Sequence, residues 1–124
     1  MGLIAAYDLS ITLDDQAADR YPELGFELGA ADSVEVTLDY DRGAAVIDLG
    51  CTGPQGWVGW SGGARDSYVI EHESATPGYL PGLSTGDWAV VLGLHKLPAD
   101  PLPVRIEVHS PARRPVDAGG TLGD

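Results

Sequence analysis

The sequence predicts an all-β fold: an antiparallel two-sheet β-sandwich, jelly-roll-like, with about seven or eight strands. Three observations carry this expectation. Apolar residues recur with a period of two along most of the chain, the spacing that puts one face of a strand in a core and the other in water. Turn-forming residues interrupt these runs, and Gly and Pro number 17 and 9 in 124 residues, well above the usual share. No stretch of ten or more residues carries a convincing 3.6 period, so at most one helical turn is expected.

The first strand is expected over Leu3–Leu13, where Leu3, Ala5, Tyr7, Leu9, Ile11 and Leu13 alternate with Asp8, Ser10 and Thr12 in the later half. Residues 14–21 are short and polar, with Asp14-Asp15 as a turn or as the N-cap of a brief helical turn. Further strands follow at Leu24-Phe26-Leu28, Val34-Val36-Leu38-Tyr40, Ala45-Ile47-Leu49, Tyr68-Ile70, Trp88-Val90-Leu92-Leu94 and Val104-Ile106-Val108. Their separators are Ala30-Ala31-Asp32, Asp41-Arg42-Gly43, Gly53-Pro54-Gln55-Gly56, Pro77-Gly78, Pro81-Gly82 and the stretch Leu97-Pro98 to Pro103. Trp88 begins the most apolar of these strands and is expected in the core. One domain is expected over residues 1–110, because the length leaves no room for a second core. Residues 111–124 are rich in Pro, Gly and Arg and read as a linker or tail.

Composition excludes several classes of function. Leu, Ile, Val and Phe make up about a quarter of the chain, above the roughly 20% below which chains stay disordered. Seven basic against 19 acidic residues give a net charge of −12, so nucleic acid and anionic membrane surfaces are repelled, while a cation or a basic protein partner is tolerated. No apolar run reaches the roughly 18 residues that span a bilayer, and the start of the chain lacks a secretory leader's basic flank, so a cytoplasmic location is expected. The single Cys51 rules out an internal disulfide framework.

Residues with catalytic potential are scattered. His72, His95 and His109 sit in or just after strand patterns and are expected as exposed or edge histidines, without the spacing that gathers zinc ligands. Asp39-Tyr40-Asp41 with Asp32 or Asp48 could offer oxygens to Ca²⁺, though not at EF-hand spacing. Ser61 in Gly59-Trp60-Ser61-Gly62-Gly63 matches the letters of a G-x-S-x-G elbow, but a strand rather than a helix follows it. Two stretches read as loops concentrate aromatics with Gly and Pro: Gly56 to Arg65, holding Trp57 and Trp60, and Ala75 to Gly82, holding Tyr79. Their rings either cap the open end of the core or form a rigid docking surface.

At these residues the sequence becomes similar to a known family. Val46-Ile47-Asp48-Leu49-Gly50, then Gly59-Trp60-Ser61-Gly62-Gly63-Ala64-Arg65, then Ala75-Thr76-Pro77-Gly78-Tyr79-Leu80-Pro81-Gly82, then Gly86-Asp87-Trp88-Ala89-Val90-Val91-Leu92-Gly93, in this order, resemble the N-terminal β-sandwich region of CehA/McbA-type metallohydrolases. The resemblance spans roughly residues 22–110. In that family the sandwich precedes a PHP (polymerase and histidinol phosphatase) catalytic domain, whose opening Gly-Asp-Leu-His-x-His motif supplies metal ligands; the present chain ends at Gly123-Asp124.

The resemblance implies a noncatalytic domain of a PHP-type metal-dependent hydrolase, acting as a structural, docking or oligomerisation module. Its expected docking residues are Trp57, Gly59, Trp60, Ser61, Gly62, Gly63, Arg65, Thr76, Pro77, Gly78, Tyr79, Pro81 and Gly82. Catalytic residues and metal ligands are expected nowhere in this chain, with divalent metals confined to the attached domain. The expected partners are a PHP domain in cis or on a separate protein, and a homo-oligomer. The alternative is a freestanding sandwich that binds Ca²⁺ or carbohydrate, using Trp57, Trp60, Tyr79 and Trp88.

Overall fold

The computed structural model describes residues 2–63 and 65–116. Among the described residues, eight strands run in the order β1 (Gly2–Ile11), β2 (Glu23–Leu28), β3 (Ser33–Asp39), β4 (Val46–Gly53), β5 (Gly56–Gly62), β6 (Ser67–Glu71), β7 (Gly86–Lys96) and β8 (Leu102–Ser110), with one helix, α1 (Leu13–Ala18). Two four-stranded sheets form, ordered β1-β8-β3-β6 and β2-β7-β4-β5. All pairings are antiparallel: β1 with β8, β2 with β7, β3 with β6 and β4 with β5, plus the lateral pairs β3–β8 and β4–β7. The chain is thus one long hairpin, nested pair by pair and rolled into two layers, which is the jelly-roll arrangement.

The core lies between the layers and follows the expected period of two. Val34, Val36 and Leu38 of β3, Ile47 and Leu49 of β4, Val90, Leu92 and Leu94 of β7, and Val104, Ile106 and Val108 of β8 are all at most 3% exposed. Trp88 joins them at 4%, with its indole N–H donated to the Ser84 carbonyl at 2.9 Å and its ring 6.5 Å from Phe26. Burying the ring while pairing its one polar atom is what makes a core Trp stable.

The first strand departs from the simple alternation. Ala5, Tyr7, Leu9 and Ile11 face the core, but a bulge between Leu3 and Ala5 breaks the register with β8 and leaves Leu3 and Ile4 49% and 38% exposed. The strand also ends two residues early. Thr12, not Asp14 or Asp15, is the N-cap of α1: its hydroxyl accepts from the Asp15 N–H at 3.1 Å, and the Asp15 carboxylate accepts from the Thr12 N–H at 2.8 Å. This reciprocal capping box places Leu13 inside the helix, where it is exposed.

A larger correction concerns residues 56–65, expected as a loop. Most of that stretch is β5, a full strand paired along β4 with two register shifts. Four glycines among residues 56–63, Gly56, Gly59, Gly62 and Gly63, hid the alternation, because Gly contributes no hydrophobic signal to either face.

The outward face of the first sheet carries a ladder of charges. Arg105 donates to Asp8 at 2.7 Å and to Glu107 at 2.8 Å, and His109 Nε2 lies 2.8 Å from Glu107. His109 is therefore neither exposed nor at an edge: β8 runs between β1 and β3, and the residue is 8% exposed. Past β8, residues 111–114 turn back onto this face. Glu35, 2% exposed, accepts from the Arg113 backbone N–H at 3.0 Å, from Arg113 Nε at 3.1 Å and from Arg114 Nε at 3.0 Å. Residues 117–124, the rest of the expected linker or tail, lie outside the described residues. No helix among the described residues is long and apolar enough to cross a membrane.

Two predictions follow from these contacts. Trp88→Ala removes a buried ring and should cost about 3–5 kcal/mol, read as a shift in urea midpoint; a cost below about 1 kcal/mol would mean the ring is not part of the core. Burial by itself pushes the Glu35 carboxyl up, yet the hydrogen bonds and charges of Arg113 and Arg114 more than reverse this and hold it below its ordinary 4.5. Glu107 is lowered to about 2 by its hydrogen bonds with His109 and Arg105. Both carboxylates have depressed folded values, so their contribution to stability is complete above pH 4.5 and disappears as pH falls through those lower values. Urea midpoints should therefore drop between pH 5 and pH 2, and Glu35→Gln should flatten that drop; an unchanged slope would remove Glu35 from the account.

Candidate functional site

The two aromatic stretches meet at one side of the sandwich, where β5 is the edge of one sheet and β6 the edge of the other. Residues 74–80 run between these edges and pair with both. On the β6 side, the Thr76 N–H donates to the Val69 carbonyl at 2.9 Å and the Glu71 N–H to the Ser74 carbonyl at 2.8 Å. On the β5 side, the Leu80 N–H donates to Val58 at 2.9 Å and the Trp60 N–H to Gly78 at 3.3 Å. The segment is a strap that closes the seam between the layers. It satisfies polar groups that two bare strand edges would otherwise present.

Tyr79 pins the strap into the core. Its ring stacks on Tyr68 of β6 with centroids 4.3 Å apart, and its hydroxyl donates to the Leu49 carbonyl at 3.1 Å while sharing a hydrogen bond with Ser61 Oγ at 2.8 Å. The Tyr68 hydroxyl donates to the Gly50 carbonyl at 3.3 Å. These two carbonyls flank the first register shift between β4 and β5, where a bulge interrupts the ladder and leaves backbone acceptors in need of partners. Close approach requires Gly59, since a Cβ there would stand 2.5 Å from the Gly78 carbonyl oxygen. Burial raises the Tyr79 hydroxyl and the neighbouring Cys51 thiol each to about 12, so both stay protonated and act as packing and hydrogen-bonding groups.

This geometry gives the expected docking residues distinct places. Ser61, Thr76 and Tyr79 belong to the seam and its bonds. Gly62 closes β5, and the Gly63 carbonyl accepts from Arg42 at 2.6 Å. Arg65 precedes β6 and acts electrostatically on Tyr79. Pro77 and Gly78 form the exposed turn of the strap, and the Gly82 N–H donates to Glu71 at 2.8 Å. Trp57 and Trp60 point the other way, out of the sandwich.

Trp60 lies on the outward face of the second sheet, across two glycines. A Cβ at Gly50 would meet its ring at 2.5 Å and one at Gly93 at 2.8 Å, so only a floor without side chains lets the indole lie flat there. Trp57 and Tyr21 flank it, with centroids 5.9 and 6.1 Å away. Trp57 pairs with Thr52 and Trp60 with Gly50, two residues apart along β4, a spacing of about 7 Å that sets the two indoles side by side. Tyr21 and Trp57 are each 55% exposed, and Leu80 is 63% exposed. Next to Trp57, a cleft of about 360 Å³ runs between the Pro54-Gln55 turn and residues 80–84, bordered by Leu80 and Pro81. Sequence reasoning missed Tyr21, which lies outside any strand; nothing in its local pattern marks it, because its neighbour is supplied by β5.

The other candidates are dispersed. Tyr79 and Trp88 are core residues, so two of the four rings named for a carbohydrate site are not presented to solvent. His95 is exposed at the end of β7, and His72 lies 3.7 Å from Asp32 beside a separate cleft. Asp39 ends β3 in one sheet while Asp48 belongs to β4 in the other, and Asp41 accepts from the Gly43 N–H at 2.9 Å. Among the described residues no three His, Cys, Asp or Glu side chains converge as metal ligands.

Tyr79→Phe keeps the stack and deletes the hydroxyl, leaving the Leu49 carbonyl with Ser61 alone. A loss of about 1–2 kcal/mol in chemical denaturation is expected, and a loss below about 0.3 kcal/mol would show that the hydroxyl does not pin the strap. Compared with known proteins, the chain matches no family model and no curated protein.

Proposed function

We propose that this chain is a noncatalytic jelly-roll docking module of a PHP-type metal-dependent hydrolase, and that it binds the catalytic domain through the face formed by Tyr21, Trp57, Trp60 and Leu80. The observation that carries the reading is the exposure of Tyr21, Trp57 and Leu80 around a flat Trp60. Large rings on a rigid sheet lose little conformational entropy on binding, and Trp and Tyr are the residues that dominate interface energetics. The arrangement of Ser61 and His109 supports the same reading: Ser61, on β5 of one sheet, bonds Tyr79 and Leu49, while His109, on β8 of the other, bonds Glu107, so the two form no nucleophile–base pair. Metal ions in this scheme are held by the catalytic domain, whose ligands this chain does not supply.

The face is apolar in a strongly acidic molecule. A partner patch that is itself apolar at its centre and basic at its rim fits both properties, because the rim charges speed encounter while the rings supply affinity. Reading the gene past the codon for Asp124 tests the assignment to a hydrolase: a downstream His-x-His motif supports a partner in cis, and a stop codon moves the search to a separate protein. With that catalytic domain in hand, Trp57→Ser combined with Leu80→Ser should weaken docking by about 2 kcal/mol or more, roughly 30-fold, in titration calorimetry. An unchanged affinity would remove this face from the interface. Quenching of tryptophan fluorescence by neutral oligosaccharides, without any affinity for the catalytic domain, would favour the carbohydrate reading instead.

A further inference from the structure

Beyond β8 the chain returns over the outward face of the first sheet, and few groups hold it there. Among the described residues, every hydrogen bond and ion pair that ties residues 111–116 to the sandwich ends on Ser33 or Glu35 of β3. The Ala112 N–H donates to Ser33 Oγ at 2.7 Å, and Glu35 accepts from the Arg113 N–H, Arg113 Nε and Arg114 Nε at 3.0, 3.1 and 3.0 Å. Apolar burial adds little: Pro111, Arg113, Arg114 and Pro115 are exposed, and Ala112 and Val116 are half-buried. A cavity of about 260 Å³ separates residues 114–116 from Ser67 and Val69 of β6.

We propose that residues 111–116 are a latch that opens and closes as one unit on an intact sandwich, with Glu35 as its catch. Two states follow from where Glu35 stands. Closed, the carboxylate is 2% exposed, and its lost hydration is offset by two guanidinium groups and a backbone N–H. Open, the same carboxylate faces water, because Ser33, Glu35 and Thr37 alternate with Val34, Val36 and Leu38, the residues that β3 gives to the core. The arginines regain their hydration as well, so neither state leaves a charge both buried and unpaired. So few contacts close the latch with less free energy than the two sheets and their core supply to the whole fold. Opening bares one row of the sheet, in which Glu35 stands opposite His109 of β8 and Val69 of β6, both buried when the latch is closed. The latch thereby controls access to a carboxylate set between an imidazole and an apolar side chain. The Tyr21–Trp57–Trp60 face lies on the other sheet, so the latch is independent of the docking reading.

Amide exchange on the whole chain, followed along a series of sub-denaturing urea concentrations, tests the proposal. Ala112 and Arg113 should exchange through an opening that urea hardly changes, because it exposes little surface, whereas Val36 and Ile106 should exchange faster as urea rises. Glu35→Gln removes the charge of the catch and should speed exchange at Ala112 and Arg113 by about tenfold or more, while Val36 and Ile106 stay protected by about a hundredfold or more over an unstructured chain. Arg113→Gln with Arg114→Gln breaks the catch from the other side and should act alike, which keeps the result independent of any folding defect at Glu35. Unprotected exchange at Ala112 and Arg113 in the unmodified chain, a urea dependence there that matches Val36 and Ile106, or exchange unmoved by both sets of substitutions would each overturn the latch.

Discussion

The stacked pair Tyr68–Tyr79 is the contact on which the rest of this sandwich depends. A jelly roll is one hairpin rolled into two layers, and rolling it leaves open seams where the layers meet. Here one seam is closed from inside: Tyr68 comes from the edge of the first sheet, Tyr79 from the strap, and both hydroxyls reach carbonyls of β4 in the second sheet. The bulge in β4–β5 makes those carbonyls available, and the strap needs them to hold its ring. Each defect satisfies the other. Buried polar groups that are fully paired in this way specify one arrangement, because any slip of the strap would leave the Tyr79 hydroxyl unpartnered and the Leu49 carbonyl with Ser61 alone.

With the seam closed, the two outward faces are free to differ. The first sheet shows alternating charge in two adjoining clusters, Asp8–Arg105–Glu107–His109 and Glu35 with Arg113 and Arg114, which meet where Glu35 stands opposite His109 in the β3–β8 register. Exposed pairs of this kind contribute little each, but Glu35 is buried, and its two arginines hold residues 113–114 against β3. The path of the chain leaving the sandwich is thus set by charge. The second sheet instead shows rings laid over glycine. Gly50 and Gly93 have no side chains to lift Trp60, so the indole rests on backbone and presents its outer side with Trp57 and Tyr21. One layer holds residues 113–114, and the other presents exposed rings.

Most of the fold was legible in the residues because strands half buried in a core must alternate. The strands β2, β3, β4, β6, β7 and β8 each showed their inward residues at every second position, and Trp88 took its place among them. What escaped had lost that signal for definite reasons. β5 reads Gly-Trp-Val-Gly-Trp-Ser-Gly, in which glycines and two register shifts erase the period. The inward phase of β1 failed at Leu3 because of a bulge whose cause is the pairing with β8, a strand about a hundred residues away in sequence. The N-cap fell on Thr12 and not on the aspartates beside it because only Thr12 stands three residues before an acceptor that can reach back.

The sequence by itself determined the class of fold, its core and the separation of its strands, since period, turn chemistry and volume are local properties that any antiparallel sandwich must obey. It also determined that the aromatic and glycine-rich stretches were exceptional. Tertiary structure alone decided what each of those residues does. Tyr79 and Trp60 lie in neighbouring stretches with similar composition, yet one is buried as the pin of a seam and the other lies on an outward face. The difference arises from partners brought from elsewhere in the chain: Tyr68 and the β4 carbonyls for the first, Gly50, Gly93 and Tyr21 for the second. Long-range strand pairing selects those partners, and no local pattern of residues encodes it.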